Sequence, residues 1–237
     1  MADQYTYPGS HVLVNLPGYT RADAWKEAEV AHVSVRLAAF VEHPIAGDFD
    51  LAHLQAIHAA LVRGFYSWGG QLRTTDTGPG GTGIAHCRPE FIRAEADRVF
   101  TALAEADRLR ARDRDTFSRG LAWTWGELTV IHPFRDVNTR TQFTFFNQVA
   151  LHAGWLIDWT MIDPYLFGYA RTVAIVSDER GIDALLFPAL KPLIGGVAPT
   201  EPLRQGVDRF VAGRAAWTRP ELDRALIAAI ERRDASS

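Results

Sequence analysis

Apolar residues recur at three- and four-residue intervals along most of the chain, and the pattern predicts a mainly α protein. Residues 1–19, rich in Tyr, Pro, Gly and Asn, read as an ordered arm with a short apolar run at His11-Val-Leu-Val. A helix follows from Arg21 to about Glu42. Thr20 is its expected cap, Trp25, Ala28, Val33, Leu37 and Phe40 lie on one face, and Pro44 ends it. Asp50 opens a second helix through Leu51, Leu54, Ile57 and Leu61 to about Val62. His58 lies on or beside its apolar face and reads as a core histidine with a satisfied hydrogen bond.

The stretch 71–87 breaks the helical period. Gln71-Leu-Arg-Thr-Thr-Asp-Thr leans to β structure and is followed by Gly-Pro-Gly-Gly-Thr-Gly, so a small β-hairpin flap is expected. No Gly-Lys-Ser/Thr opens a helix behind these glycines, so they are not a nucleotide P-loop. Pro89 then starts a third helix to about Asp107. The mixed charges of 108–115 read as a solvated connection. Two very apolar helices come next, Thr116–Ile131 and Thr139–Ala153, and both should be buried near the centre. Thr160–Ser177 and Asp178–Leu190 read as shorter helices, and Ile194–Pro202 as a linker. Thr218-Arg-Pro-Glu opens a final amphipathic helix with Leu222, Leu226, Ile227 and Ile230. The expected organisation is one domain over 1–195, with its core at about 45–190, and a helical extension over 196–237. The extension packs either on that domain or on a second copy, as a homodimer.

Composition narrows the partners. A net charge of −3 over 237 residues leaves no basic footprint for nucleic acid. One cysteine, Cys87, excludes an internal disulfide framework and a cysteine-based zinc site. The N-terminus has neither the basic nor the apolar region of a secretory signal, and no apolar run is long enough to span a membrane. A cytoplasmic location is expected, with delivery into another cell as an effector left open.

The densest chemistry lies between the two apolar helices, in Ile131-His-Pro-Phe-Arg-Asp-Val-Asn-Thr-Arg140. Pro133 biases His132 out of the α region, so the first helix should end there. Asn138 is a fair cap for the second. A loop feeding a helix N-terminus offers free N–H groups and the positive end of the helix dipole to an anion. With a histidine, a carboxylate and an arginine at that place, the residues point to chemistry on a phosphate.

This stretch resembles the core motif of the Fic (Fido-fold) family, His-x-Phe-x-(Asp/Glu)-Gly-Asn-Gly-Arg-x-x-Arg. The resemblance extends to Tyr5-Thr-Tyr-Pro-Gly, to the run Phe49–His58 and to Tyr66–Thr75, and covers roughly residues 5–190. It implies the Fic/Fido helical fold and transfer of AMP from ATP onto a Ser, Thr or Tyr hydroxyl of a target protein. In that reading His132 is the general base, and Asp136 holds a magnesium ion. Val137, Asn138, Thr139 and Arg140 form the phosphate site, and Phe134 pins the loop to the core. The flap residues Thr74, Thr75, Asp76 and Thr77 would dock the target as an added strand. Toxins and effectors occur in the family, so a separate antitoxin or inhibitor is a further implied partner.

Three positions depart from the motif. Val137 and Thr139 replace its two glycines, and Phe143 replaces its second arginine. A β-branched residue resists positive φ, so Val137 is expected to rebuild the anion nest. Thr139 puts a side chain where phosphate would approach bare backbone. Phe143 removes a cation that the family uses for the terminal phosphate. Doc-type members also lack the glycines and resemble kinases, so transfer of phosphate or UMP, or binding without turnover, are the alternatives. No copy of the family's inhibitory helix motif stands out near either end.

Overall fold

A computed structural model describes residues 3–193 and 217–236. Eight α-helices carry these residues: α1 (Ala22–Glu42), α2 (Leu51–Val62), α3 (Ile92–Glu105), α4 (Arg114–Ile131), α5 (Asn138–His152), α6 (Pro164–Ala174), α7 (Arg180–Ala189) and α8 (Arg219–Asp234). The mainly α reading holds. Helix starts follow local chemistry. Asp50, Asp113 and Asp163 each accept a first-turn N–H, and Thr218 with Glu221 forms a capping box. Thr20 does not cap α1; that place belongs to Arg21, which makes no side-chain capping bond.

The core gathers around α4 and α5. The Trp125 ring stacks on Phe146 at 4.3 Å, and Trp159 and Phe167 meet its edge. Helix α4 packs chiefly against α7, α3 and α6, and α5 against α2. The 3-10 turn at Asp107–Leu109 drives Leu109 against Gly120 of α4, where a Cβ would lie 2.6 Å from a Leu109 methyl. The final helix docks on the main body. Arg233 of α8 is buried between Asp183 and Asp115, and Leu226 packs on Gly181 of α7.

Two further local expectations are corrected. The predicted helix over 160–177 begins only at Pro164. It is preceded by a strand, β1 (Trp155–Ile157), and a 3-10 turn at Trp159–Met161. β1 pairs antiparallel with β2 (Leu190–Pro192), with Leu156 opposite Lys191. This small sheet ties the end of α5 to the end of α7. The second correction concerns the flap. Residues 71–87 double back, but among the described residues they contain no strand. The two limbs share one backbone–backbone bond, His86 N–H to the Thr77 carbonyl at 2.9 Å. Their other backbone bonds go elsewhere: Arg73 N–H to the Pro133 carbonyl, and Cys87 N–H to that of Val130. Each limb pairs with the end of α4 instead of with its sister. The linker expected at 194–202 lies outside the described residues.

Candidate active site

The site is built on the turn between α4 and α5. Helix α4 ends at His132, whose N–H donates to the Leu128 carbonyl at 3.0 Å and whose backbone is left-handed, φ 46° and ψ 63°. Pro133 forbids the α region before it, and the left-handed form is the common way to end a helix. Phe134 then drops into the core, 1 % exposed, its ring stacked at 3.9 Å on the His58 ring. His58 is the satisfied core histidine expected from its place on α2. Its Nδ1 accepts the Gly70 N–H at 2.8 Å, and its Nε2 donates to the Asp136 carbonyl at 3.2 Å. Burial pushes its pKa down to about 3, so it stays neutral and serves as a scaffold for the loop.

Val137 is the N-cap of α5, in place of Asn138, and it adopts φ 62° and ψ 12°. The expectation that a β-branched residue would rebuild the nest is overturned, because the left-handed turn is kept with valine in it. Two observations account for this. Val137 is 2 % exposed within the apolar core, and its N–H is taken by Oδ1 of Asp136 at 2.6 Å. Burial and that bond offset a backbone cost of about 1–2 kcal/mol. Asn138 follows as the first helical residue. Its side chain is spent within the loop: Oδ1 accepts the Phe134 N–H at 3.0 Å and Nδ2 donates to the Phe134 carbonyl at 2.8 Å. What Asn138 offers an anion is its backbone N–H. With those of Thr139 and Arg140, it precedes the first intrahelical bond, from Thr141 N–H to the Val137 carbonyl.

The charged groups are set from distant elements. Arg140 Nη2 lies 3.3 Å from Glu29 of α1, a fully buried carboxylate that also holds Lys26 at 2.7 Å and the Tyr66 hydroxyl at 3.0 Å. Burial works to raise the Glu29 pKa, but Arg140, Lys26 and those hydrogen bonds outweigh it and hold it below its usual range. Asp136 is shifted the other way, raised by burial and then by the charge of Glu29. Arg135 is tied to Asp3 of the N-terminal arm at 2.5 Å. Arg171 of α6 is buried and reaches Thr139 Oγ1 at 3.0 Å, Thr129 Oγ1 at 3.1 Å and Gln142 Oε1 at 2.7 Å. Phe143 turns into apolar surroundings against Trp159 at 4.8 Å. It also lines a groove of about 360 Å³ with Leu37, Phe40 and Leu151.

The flap is clamped beside His132. Arg73, 2 % exposed, donates to the carbonyls of His132 (2.7 Å), Ile131 (3.1 Å), Thr75 (2.7 Å) and Cys87. It thereby closes the end of α4 and gathers both limbs of the flap. The His86 ring stacks on the His132 ring at 3.8 Å, and its Nδ1 pairs with Thr77 Oγ1 at 2.9 Å. Burial, then the nearby charges of His86, Arg171 and Arg73, push the His132 pKa well below its usual value. His132 is therefore a neutral imidazole at pH 7. Its Nδ1 is buried without a well-formed hydrogen bond among the described residues. Of the expected docking residues, Thr74 is held by Gln4 and Tyr5 of the arm, whereas Asp76 is exposed. Thr74, Thr75 and Asp76 line a cleft of about 860 Å³ with Asp3, Arg88 and Glu90.

Magnesium fits as a guest of the nucleotide. Among the described residues no group of three His, Cys, Asp or Glu side chains could hold a metal. One carboxylate completed by substrate phosphates is, however, an ordinary magnesium environment. Asp136 has Oδ1 engaged by the Val137 N–H, while Glu29 is occupied by its own cations, so Asp136 is the carboxylate that would fit such an ion. No described helix is long and apolar enough to cross a membrane.

Sequence reasoning missed Glu29, Arg73, His86 and Arg171. For Glu29 a signal was present: an acid one turn from both Trp25 and Val33, on the buried stripe of α1. The others lay in segments read as flap or as ordinary helix.

Comparison with known proteins agrees with this geometry. The model of the Fic/DOC family matches residues 48–150. A probable protein adenylyltransferase, y4lH, of Sinorhizobium fredii is 35 % identical over 166 residues, covering 70 % of this chain and 84 % of the relative. A probable protein adenylyltransferase Fic of Salmonella typhimurium is 31 % identical over 188 residues, 79 % of this chain and 92 % of the relative. Among solved structures, the N-terminal Fic domain of a Bartonella quintana VirB-translocated effector with bound ADP superposes with a TM-score of 0.75 at 24 % identity. That match covers 81 % of this chain and 96 % of the domain. BepC of Bartonella tribocorum, with bound AMPPNP, gives a TM-score of 0.71 at 22 % identity, over 79 % of this chain and 96 % of that one. The left-handed turn at His132–Val137, the helix N-terminus behind it and these matches agree: the chain belongs to the Fic/DOC family.

Proposed function

We propose that this chain transfers AMP from ATP onto the hydroxyl of a Ser, Thr or Tyr side chain of a target protein. One observation carries the reading. The loop keeps left-handed residues at His132 and Val137, so a neutral imidazole and the unbonded N–H groups of α5 belong to one turn, although both motif glycines are replaced. Names of the relatives as protein adenylyltransferases support the same reaction class.

The target hydroxyl oxygen attacks the α-phosphorus. The bond from that phosphorus to the bridging oxygen breaks, pyrophosphate departs with the electron pair, and Nε2 of His132 takes the hydroxyl proton. The depressed pKa favours the neutral base at pH 7. First-turn N–H groups of Asn138, Thr139 and Arg140 stabilise the developing charge. Arg140, steadied by Glu29, adds a cation beside them. Magnesium held by Asp136 would neutralise the phosphates when bound. The flap at Thr74–Thr77, beside the 860 Å³ cleft and with Asp76 exposed, would receive the target's backbone. We also read 1–195 as the catalytic domain and 196–237 as an extension whose last helix braces α7.

The test is to incubate the protein with ATP, magnesium and a lysate, and to search for adducts by mass spectrometry. An AMP adduct is expected, reduced by His132→Ala by about 10²–10⁴ in rate. A phosphate or UMP adduct would replace this reading with the Doc-like one, which Phe143, seated on Trp159, favours. Nucleotide binding with no adduct would leave only a binding function.

A further inference from the structure

Arg171 has no role in the chemistry derived above, and its surroundings are hard to explain by packing alone. It is 5 % exposed, and burial lowers its pKa to about 10. Among the described residues its three hydrogen-bond partners are all neutral: Thr129, Thr139 and Gln142. Arg233, the other deeply buried arginine of the α6–α8 region, has two carboxylates, Asp183 and Asp115. A buried cation that lacks a counter-charge costs several kcal/mol, and neutral acceptors repay only part of that. The place makes the cost larger. Arg171 grips the first turn of α5, where unbonded N–H groups and the positive end of the helix dipole already gather. Its charge is also felt at His132 and at His86. Positive features thus converge from α6, from α5 and from Arg140; of the carboxylates beside them, Glu29 pairs with Arg140 and Lys26, and Asp136 accepts the Val137 N–H. An anion is the missing member of this cluster.

We propose that Arg171 is a phosphate-binding residue, which supplies from α6 a second cation for the polyphosphate of the nucleotide at the α5 N-terminus. Three of its five N–H donors are used by Thr129, Thr139 and Gln142 and fix the guanidinium plane. Two remain for phosphate oxygens, and Nη1 is the end that reaches the half-buried Thr139. Thr139 has a positive role here. Its hydroxyl is drawn toward α6 and aims the cation, where an expectation from sequence alone makes it an obstacle. Phe143 and Arg171 become one exchange: the cation absent from α5 is provided by the neighbouring helix.

This inference rests on the nucleotide-transferase reading for the identity of the anion. Its test separates the two. Binding of ATP, AMP and inorganic pyrophosphate is measured by calorimetry on the full chain and on folded Arg171→Gln, which retains a polar side chain for Thr129 and Gln142. Loss of charged hydrogen bonds predicts that ATP and pyrophosphate weaken roughly tenfold to hundredfold, and AMP by less than about threefold. Arg171→Lys should recover part of the loss. Equal weakening of ATP and AMP, or none, overturns the proposal and returns Arg171 to a purely structural role. Should Arg171→Gln fail to fold, Thr139→Val keeps the charge and the volume but releases its aim. It must weaken pyrophosphate by about threefold or more, and unchanged binding overturns the proposal. A wild-type protein that binds neither ATP nor AMP refutes the transferase reading. Arg171 is then judged on pyrophosphate alone.

Discussion

Val137 gives the most direct test of the loop, because its side chain and its backbone pull in opposite directions. The side chain is 2 % exposed, and burying a valine is worth about 1.5–3 kcal/mol. The backbone sits at φ 62°, which costs a residue with a Cβ about 1–2 kcal/mol. Val137→Ala removes two methyl groups, a loss of about 1.6 kcal/mol, and leaves the left-handed cost in place. Going on from Ala to Gly gives back about 1–2 kcal/mol of strain, against about 0.5–1 kcal/mol for the extra freedom of glycine in the unfolded chain and about 0.8 kcal/mol for the buried Cβ. At an ordinary helical or extended position the same Ala-to-Gly step costs about 1.3–1.8 kcal/mol, with no strain returned. The size of that step therefore reports the backbone at 137 without any reference to activity.

Urea unfolding followed by tryptophan fluorescence measures it, with midpoints compared at equal slope. Both variants should be less stable than the parent, and Val137→Gly should lie within about 0.8 kcal/mol of Val137→Ala. Val137→Asn, which tolerates the left-handed region, should fall no lower than Val137→Ala. If Val137→Ala is the more stable by about 1.3 kcal/mol or more, position 137 does not hold a positive φ in solution. The left-handed turn is then not kept with valine in place of glycine.

Two other outcomes follow from the same geometry. His58 keeps its proton off down to about pH 3 when folded, against a usual value of 6.5, so the unfolded chain binds the extra proton below 6.5. The stability this contributes is complete above pH 6.5 and is lost as pH falls toward 3, about 2 kcal/mol by pH 5. His86, lowered to about 4, acts in the same sense, whereas the raised Asp136 acts in the opposite one. Urea midpoints at pH 7.5 and pH 5 check this, and an equal pH dependence in wild type and His58→Gln would contradict it. Arg73→Met strips hydrogen bonds from four carbonyls at the end of α4 and along the flap, and should cost roughly 3 kcal/mol or more. Cleavage within 78–83 by a trace of protease should accelerate at the same time. A variant cut there no faster than wild type would show that the flap is held by something else.

What could be read in the sequence was what is local. Helices α1 to α5 came from apolar spacing, and two of their ends from Asp50 and the proline after His132, whereas the Asp113 cap of α4 was hidden in a run read as a solvated connection. The flap was misread because its β-leaning, glycine-rich composition is a local property, while its hydrogen-bond partners are not. Arg73 bonds a carbonyl 59 positions away, and with Pro133 and Val130 taking the donors of both limbs, no ladder is left to form. The sheet of three-residue strands at Trp155–Ile157 and Leu190–Pro192 leaves no periodic trace for the same reason.

The site divides along the same line. His132, Asp136 and Arg140 belong to one short stretch and could be named from it. The groups that set their charge state come from afar: Glu29 lies 111 positions from Arg140, and Arg171 lies 32 from Thr139. A motif specifies which groups react, whereas long-range packing specifies the field in which they do so. Val137 shows the converse. Its residue type argued against a left-handed turn by about 1–2 kcal/mol, a modest sum beside the stacking of Phe134 on His58, the two bonds of Asn138 and the clamp of Arg73 on the preceding helix end. Several fixed points on either side of one residue decide its backbone. A loop so anchored can exchange both glycines and keep its shape.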